Sequence, residues 1–187
     1  MLTRRHFVMT TTALFSAPIA GPAFVTAWPT EAQKQAWDEQ VTPPDFDLMT
    51  SNPWGIHPRL MPARVASKDG LVPGDIHVDA IARYLYFIEE GGTAMRYGVA
   101  IGRGDLYEAG TFRIRRKVRW PHWVPTRGER DTYLRIHGTP QPWSIGSRAS
   151  SGCVRMVMAH INELYPRVEL GATAFLHPAE DAVTALS

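Results

Sequence analysis

The sequence predicts a mostly β domain with one or two short helices. Two observations carry this. Between residues 76 and 136 the chain breaks into short aromatic and β-branched runs separated by glycine and proline. Only one later stretch, containing Ile161, Leu164, Tyr165 and Val168, has clear helical spacing. Many short strands and few helices fit a sheet-built domain. The 187 residues, 44% hydrophobic and 20% charged, suit one such domain with export and linker segments.

Taken in order, the chain opens with Arg4-Arg5-His6-Phe7, a modestly apolar stretch to about Ala20, and small residues leading to Val25-Thr26-Ala27. That is the layout of an export signal, and the arginine pair resembles a twin-arginine signal. The expectation is a signal peptide over 1–27, cleaved near Ala27. The apolar stretch is shorter than the ~20 residues a membrane span needs, and no later segment could span. The mature protein is expected to be periplasmic or otherwise extracytoplasmic, with no membrane span.

Residues 30–40 predict a short helix capped by Thr30, with Gln33 three residues on. Residues 28–72 form a proline-rich lead-in that lies on the domain. The folded body begins near Pro73 and extends to 178, with a tail over 179–187. Strands are expected at Ile76–Val78, Arg83–Glu89, Ala94–Ile101, Thr111–Val118 and Tyr133–Ile136, the second and third joined by a Glu90-Gly91-Gly92 hairpin turn. Pro121 and Pro125 bracket a loop around Trp120 and Trp123. Gly171 ends the helix, and Ala174–Leu176 is the last strand.

The formal charge of +2 gives no footprint of a nucleic-acid binder. The one dense basic run, Arg113 to Arg119, reads as a solvated strand face. A single cysteine excludes an internal disulfide and a multi-cysteine zinc site. A redox role lacks a resolving thiol. His57, His77, His160 and His177 have no metal-ligand spacing to one another. His122, between two tryptophans, could reach a groove. No metal or cofactor is expected.

A lone cysteine is either a small apolar residue or a reactive thiol, and its neighbours favour the second. Strand residues Ile136-His137 are followed by a glycine-rich loop that returns to Ser150-Ser151-Gly152-Cys153-Val154-Arg155-Met156. A thiol must ionise to attack a carbonyl, and an imidazole within reach can take its proton and return it to a leaving amine. Gly152 permits a tight turn. Backbone N–H groups of Gly152 and Cys153 could hold an oxyanion. On chemistry alone the pair is a candidate thiol enzyme.

His137-Gly138-Thr139, the loop with Trp143-Ser144-Ile145-Gly146, and Ser-x-Gly-Cys-Val-Arg-Met at 150–156 together resemble the signature of the L,D-transpeptidase catalytic domain, the YkuD family. The resemblance continues through Pro73–Val78, the Tyr84/Tyr86 hairpin, Tyr97–Gly102, Gly110–Phe112, Trp120–Trp123 and the closing helix, covering about residues 73–177. It implies a β-sandwich-like fold with the cysteine and histidine at one end of a groove.

The resemblance further implies that Cys153 attacks the third residue, meso-diaminopimelate, of a peptidoglycan tetrapeptide stem. D-Ala leaves, and an acceptor amine takes the acyl group. His137 would be the base, oriented by the Gly138 carbonyl. Arg155 would lie beside the thiol, either holding the site or a substrate carboxylate or making a structural ion pair. Trp143 and Ser144 would line the groove, Trp143 alternatively belonging to the core. Gly152, Ser151 and Thr139 complete the expected substrate and oxyanion contacts. Stem peptides are the expected partners, the protein a monomer, and cell-wall biogenesis its setting. An L,D-carboxypeptidase would use the same residues, and a catalytically weakened wall-binding module would keep the groove. Two departures stand out: Ser151 occupies a position where many relatives carry histidine, and only about ten residues link Pro125 to Arg135. The short link predicts a groove open on that side, with Arg127, Glu129 and Arg130 at its rim.

Overall fold

The structure, a computed structural model, describes residues 30–32, 35–36, 39, 42, 45–119 and 134–179. The expected export signal, the tryptophan loop with His122, the short connection up to residue 133 and residues 180–187 lie outside them.

The domain is mostly β, as the short strand runs predict. Six strands form one mixed sheet in the order β1-β4-β3-β2-β10-β6: β1 (Ala63–Ala66), β2 (Ile76–Asp79), β3 (Tyr84–Glu89), β4 (Thr93–Gly98), β6 (Gly110–Arg113) and β10 (Thr173–Leu176). β10 runs parallel to β2 and antiparallel to β6. Two smaller parallel pairs join β5 (Ile101–Gly102) to β8 (Arg148–Ser150) and β7 (Ile136–Thr139) to β9 (Val154–Val157). The helix Met158–Arg167 follows β9 directly. Residues 31–32, 35–36 and 39, within the predicted lead-in helix, are also helical. No helix among the described residues is long and apolar enough to cross a membrane.

Alternation along the strands builds the core. Ile76 and Val78 of β2, Leu85 and Phe87 of β3, Met95 and Tyr97 of β4, and Ala174 and Leu176 of β10 face inward. Against them pack Val154 and Met156 of β9, and Leu164 and Val168 from the helix and its end. Full burial of each large side chain contributes about 1.5–3 kcal/mol. The β3–β4 hairpin turns through a three-residue loop with Gly91 and Gly92 at φ 77° and 74°, where the register closes on Glu89 opposite Thr93.

The lead-in contributes more than a covering. Its residues 63–66 form β1, the edge strand paired to β4. Ile56, Leu60 and Met61 join Ala100, Ile145 and Val157 in a second apolar cluster. Leu60 presses directly on the backbone of β4 at Gly98.

Two strands are shorter than the sequence suggests. The run from Ala94 divides after Gly98, because Ala100 leaves β3 and exchanges backbone hydrogen bonds with Arg155 instead. β6 stops at Arg113 rather than Val118, since β10 begins only at Thr173 and the Leu170–Gly171 turn precedes it. Part of the basic run then secures the helix end. Lys117 Nζ donates to Val168 O at 2.5 Å and lies 4.6 Å from the Tyr165 ring centre, and Arg113 donates to Gly171 O at 3.0 Å.

A charged network ties helix to sheet. Glu89 accepts from Arg64 at 2.8 Å and pairs with Arg167 at 2.5 Å, while Arg167 also reaches Glu163 at 2.9 Å and Tyr97 donates to Glu163. The Arg64 hydrogen bond, with Arg167 and Thr93, pushes the Glu89 carboxyl down to about 2, against the opposing effect of burial.

Candidate active site

β7 and β9 pair in parallel, with Ile136 opposite Val154, His137 opposite Arg155 and Gly138 opposite Met156. Val154 and Met156 are buried, so Arg155, alternating with them, faces the other way, and Cys153 sits in the bend that leads directly into Val154. The register sets His137 on the side of Arg155. All three are half-buried.

His137 Nδ1 lies 2.8 Å from the Gly138 carbonyl oxygen. A carbonyl only accepts, so Nδ1 carries the proton and Nε2 keeps its lone pair. Burial pushes the imidazole below its ordinary value. The Gly138 hydrogen bond opposes that, and Arg155 and Arg135 add to it. The ring is therefore a neutral base at neutral pH. Gly138 must be glycine for a packing reason: an added Cβ would collide with Met158 Sδ and lie 2.9 Å from Ile161 Cγ2 of the helix.

The Cys153 turn is held from inside. Ser150 is 1% exposed; its hydroxyl donates to Cys153 O at 2.5 Å and accepts from Gly152 N–H at 3.1 Å. Gly152 has φ 121°, and a Cβ there would fall 2.9 Å from Leu106 O. Since Gly152 N–H is committed to Ser150, it is not available to an oxyanion as the sequence suggests. Cys153 N–H has no partner among the described residues. Cys153 is a free, half-buried thiol.

The loop between the strands corrects other expectations. Thr139 and Ser144 are buried rather than groove-lining: Thr139 Oγ1 accepts from Gln141 N–H at 3.1 Å, and Ser144 Oγ donates to Gln141 O at 2.7 Å. Trp143 is not core; it is 75% exposed on the turn that these hydroxyls fasten. Ser151 is exposed. Arg155 makes no ion pair among the described residues but donates to Gln141 Oε1 at 3.3 Å. Ser150 and Gln141 are thus site residues that residue-type reasoning passes over. A serine three before the cysteine, with glycine between, is a recognisable side-chain turn pattern. The Gln141–Arg155 contact has no local signal.

The other described histidines sit apart. His57 Nδ1 accepts from Arg59 N–H at 3.2 Å and His77 faces His177 at 3.2 Å, while His160 is fully buried. No group of three or more His, Cys, Asp or Glu among the described residues could hold a metal ion.

Comparison with known proteins bears on this arrangement. The model of the YkuD L,D-transpeptidase catalytic domain matches residues 73–176. No curated protein sequence matches the chain. Among solved structures, the Ldtfm–avibactam carbamoyl enzyme is similar with a TM-score of 0.51 at 21% identity, covering 59% of this chain and 51% of that one. The catalytic domain of an E. faecium L,D-transpeptidase matches with a TM-score of 0.48 at 21% identity over 58% of this chain and 99% of that one. An L,D-transpeptidase from Mycobacterium smegmatis gives 0.45 at 17% identity over 55% and 58%. The match thus spans little more than half the length of the first and third of these chains. With its domain match covering more than half of the sequence, the chain belongs to the YkuD family of L,D-transpeptidase catalytic domains.

Proposed function

We propose that the protein is an exported acyltransferase of peptidoglycan stem peptides, with Cys153 as nucleophile. The carrying observation is the tautomer of His137. Its Nδ1–H is fixed on Gly138, and its Nε2 is left basic at the start of the β7–β9 pair, where Cys153 directly precedes Val154, the partner of Ile136. In this reading Nε2 takes the Sγ proton and the thiolate adds to the carbonyl of the third stem residue. The C–N bond to D-Ala then breaks, the leaving amine regains the proton from His137, and a thioester remains. An acceptor amine attacks the thioester, gives its proton to His137, and the thiol re-forms as the new amide departs. Cys153 N–H is the backbone donor best placed for the tetrahedral oxyanion. The exposed Trp143 and the Arg155 guanidinium flank the approach of substrate.

Mass analysis of purified protein with a disaccharide-tetrapeptide tests the proposal. A crosslinked dimer formed by the parent and not by Cys153→Ala supports it. A tripeptide product alone makes the enzyme an L,D-carboxypeptidase. Binding without turnover in the parent overturns the acyl-transfer reading in favour of a wall-binding module.

A further inference from the structure

The turn from Asp79 to Arg83, between β2 and β3, carries one arginine and is approached by two others. Arg83 has φ 66°, the one positive value at a non-glycine residue among those described. Long side chains rarely adopt this backbone, and such outliers gather at functional sites. Its Nη1 donates to Ile81 O at 2.8 Å, while its Nε is buried and has no partner among the described residues.

Two further guanidiniums reach the same region. Arg59 Nη1 lies 3.4 Å from Ala82 O and 3.5 Å from the Tyr84 hydroxyl. Arg148 of β8 donates to the carbonyls of Gly102 and Gly104. Backbone contacts bring them together: Val99 N–H donates to Arg83 O, Val99 O accepts from Gly146 N–H, and Ile101 pairs with Arg148.

None of the three arginines forms an ion pair among the described residues. The acid of the turn, Asp79, uses Oδ1 for the N–H groups of Ile81 and Ala82 at 2.9 and 2.8 Å. Tyr107, also near, donates its hydroxyl to His177 O. Burial holds the Arg83 guanidinium below the usual arginine range, with Arg148 and Arg59 adding to that and Asp79 and Tyr107 opposing. Arg83 is partly desolvated beside two further cations, and Asp79 is the one carboxylate among the described residues that offsets them, an unfavourable balance of charge. An oxyanion would give Arg83 Nε its missing acceptor and offset the repulsion.

We propose that Arg59, Arg83 and Arg148 form a binding site for a carboxylate or phosphate group. The site neighbours the Cys153 loop. Arg148 holds Gly104 O in the Gly104–Leu106 turn, and the Leu106 carbonyl of that turn lies against Gly152.

Thermal unfolding of the full chain, in phosphate and in chloride of equal ionic strength, tests the site. At ten times its Kd, phosphate should raise the parent Tm by about 3–5 °C. Arg83→Asn removes the charge with a residue that tolerates the left-handed backbone. It should abolish the rise yet be no less stable than the parent in chloride, because it relieves repulsion. Arg148→Gln, measured by calorimetric titration with phosphate, should weaken binding at least tenfold and provides the same test if Arg83→Asn does not fold. Absence of any rise in the parent, or an undiminished response in both variants, overturns the proposal. Competition between phosphate and a free-acid tetrapeptide, but not its C-terminal amide, assigns the site to peptide carboxylates. Phosphate binding untouched by the peptide acid assigns it to phosphate-bearing polymers, and either result sustains the site.

Discussion

Replacing His160 with leucine should remove a large part of the acid sensitivity of the fold between pH 6.5 and 4, to which His77 and His137 also contribute. His160 is fully buried on the helix, edge-on to Trp54 at 5.6 Å and tilted to Tyr97 at 6.2 Å. Neither ring nitrogen has a partner among the described residues. Burial pushes the imidazole from 6.5 to about 4. The unfolded chain thus binds the proton at a higher pH than the folded one. Stability from this group is full above 6.5 and is lost as pH falls towards 4. At 1.36 kcal/mol per unit the loss comes to about 3 kcal/mol, a large share of a typical 5–15 kcal/mol. Leucine has similar bulk and no nitrogen to desolvate. At pH 7 the variant should match or exceed the parent by up to about 1–3 kcal/mol. Urea unfolding of both proteins at pH 7.5, 6, 5 and 4.3 reads the difference directly, with the Glu89 contribution below 4.5 common to both. A gap between variant and parent that stays constant across these values would refute the reasoning.

Four further outcomes are expected. Because His137 stays neutral below its ordinary value, alkylation of Cys153 should keep its histidine-dependent acceleration as pH drops through 6.5. His137→Ala should label more slowly throughout, and equal rates would separate the two residues. Gly138→Ala should cost about 1–3 kcal/mol by forcing β7 away from Met158 and Ile161, and should slow the same labelling by displacing the carbonyl that orients His137; unchanged melting and labelling would contradict this. Ser150→Ala frees Gly152 N–H and Cys153 O, and turnover on a disaccharide-tetrapeptide should fall at least tenfold while the protein remains folded by circular dichroism. Changing Arg4 and Arg5 together to lysine should leave precursor in the cytoplasm, and normal export on immunoblots of cell fractions would remove the twin-arginine route.

Much of this was legible because its determinants are local. Alternation gives β2, the glycine pair gives the β3–β4 turn, and Ile161, Leu164 and Tyr165 give the helix. The His137 and Cys153 segments stand out because their residue types carry chemistry. What stayed hidden depends on partners distant in sequence. β1 has no aromatic or β-branched run long enough to announce itself, and exists because β4 offers it an edge. Ala100 alternates correctly for β4 but is drawn away by Arg155, fifty-five residues on. Thr139 and Ser144 sit in a motif next to a reactive pair, yet their hydroxyls fasten a loop. Residue type alone cannot distinguish a hydroxyl that meets substrate from one that meets its own backbone. Arg83 gave no signal, because its left-handed backbone follows from how the turn closes on Val99.

The contribution of residues 56–66 has a practical consequence. A protein trimmed to the matched segment, 73–176, would keep every residue of the β7–β9 pair and of the Cys153 turn. It would nonetheless bare the whole length of β4, whose unpaired N–H and C=O groups would then be open to strands of other molecules. It would also lose the Leu60 side chain that fills the space over Gly98 and Gly146. Such a fragment should be recovered from inclusion bodies, or as oligomers joined through β4, whereas a chain begun at residue 45 should stay dispersed.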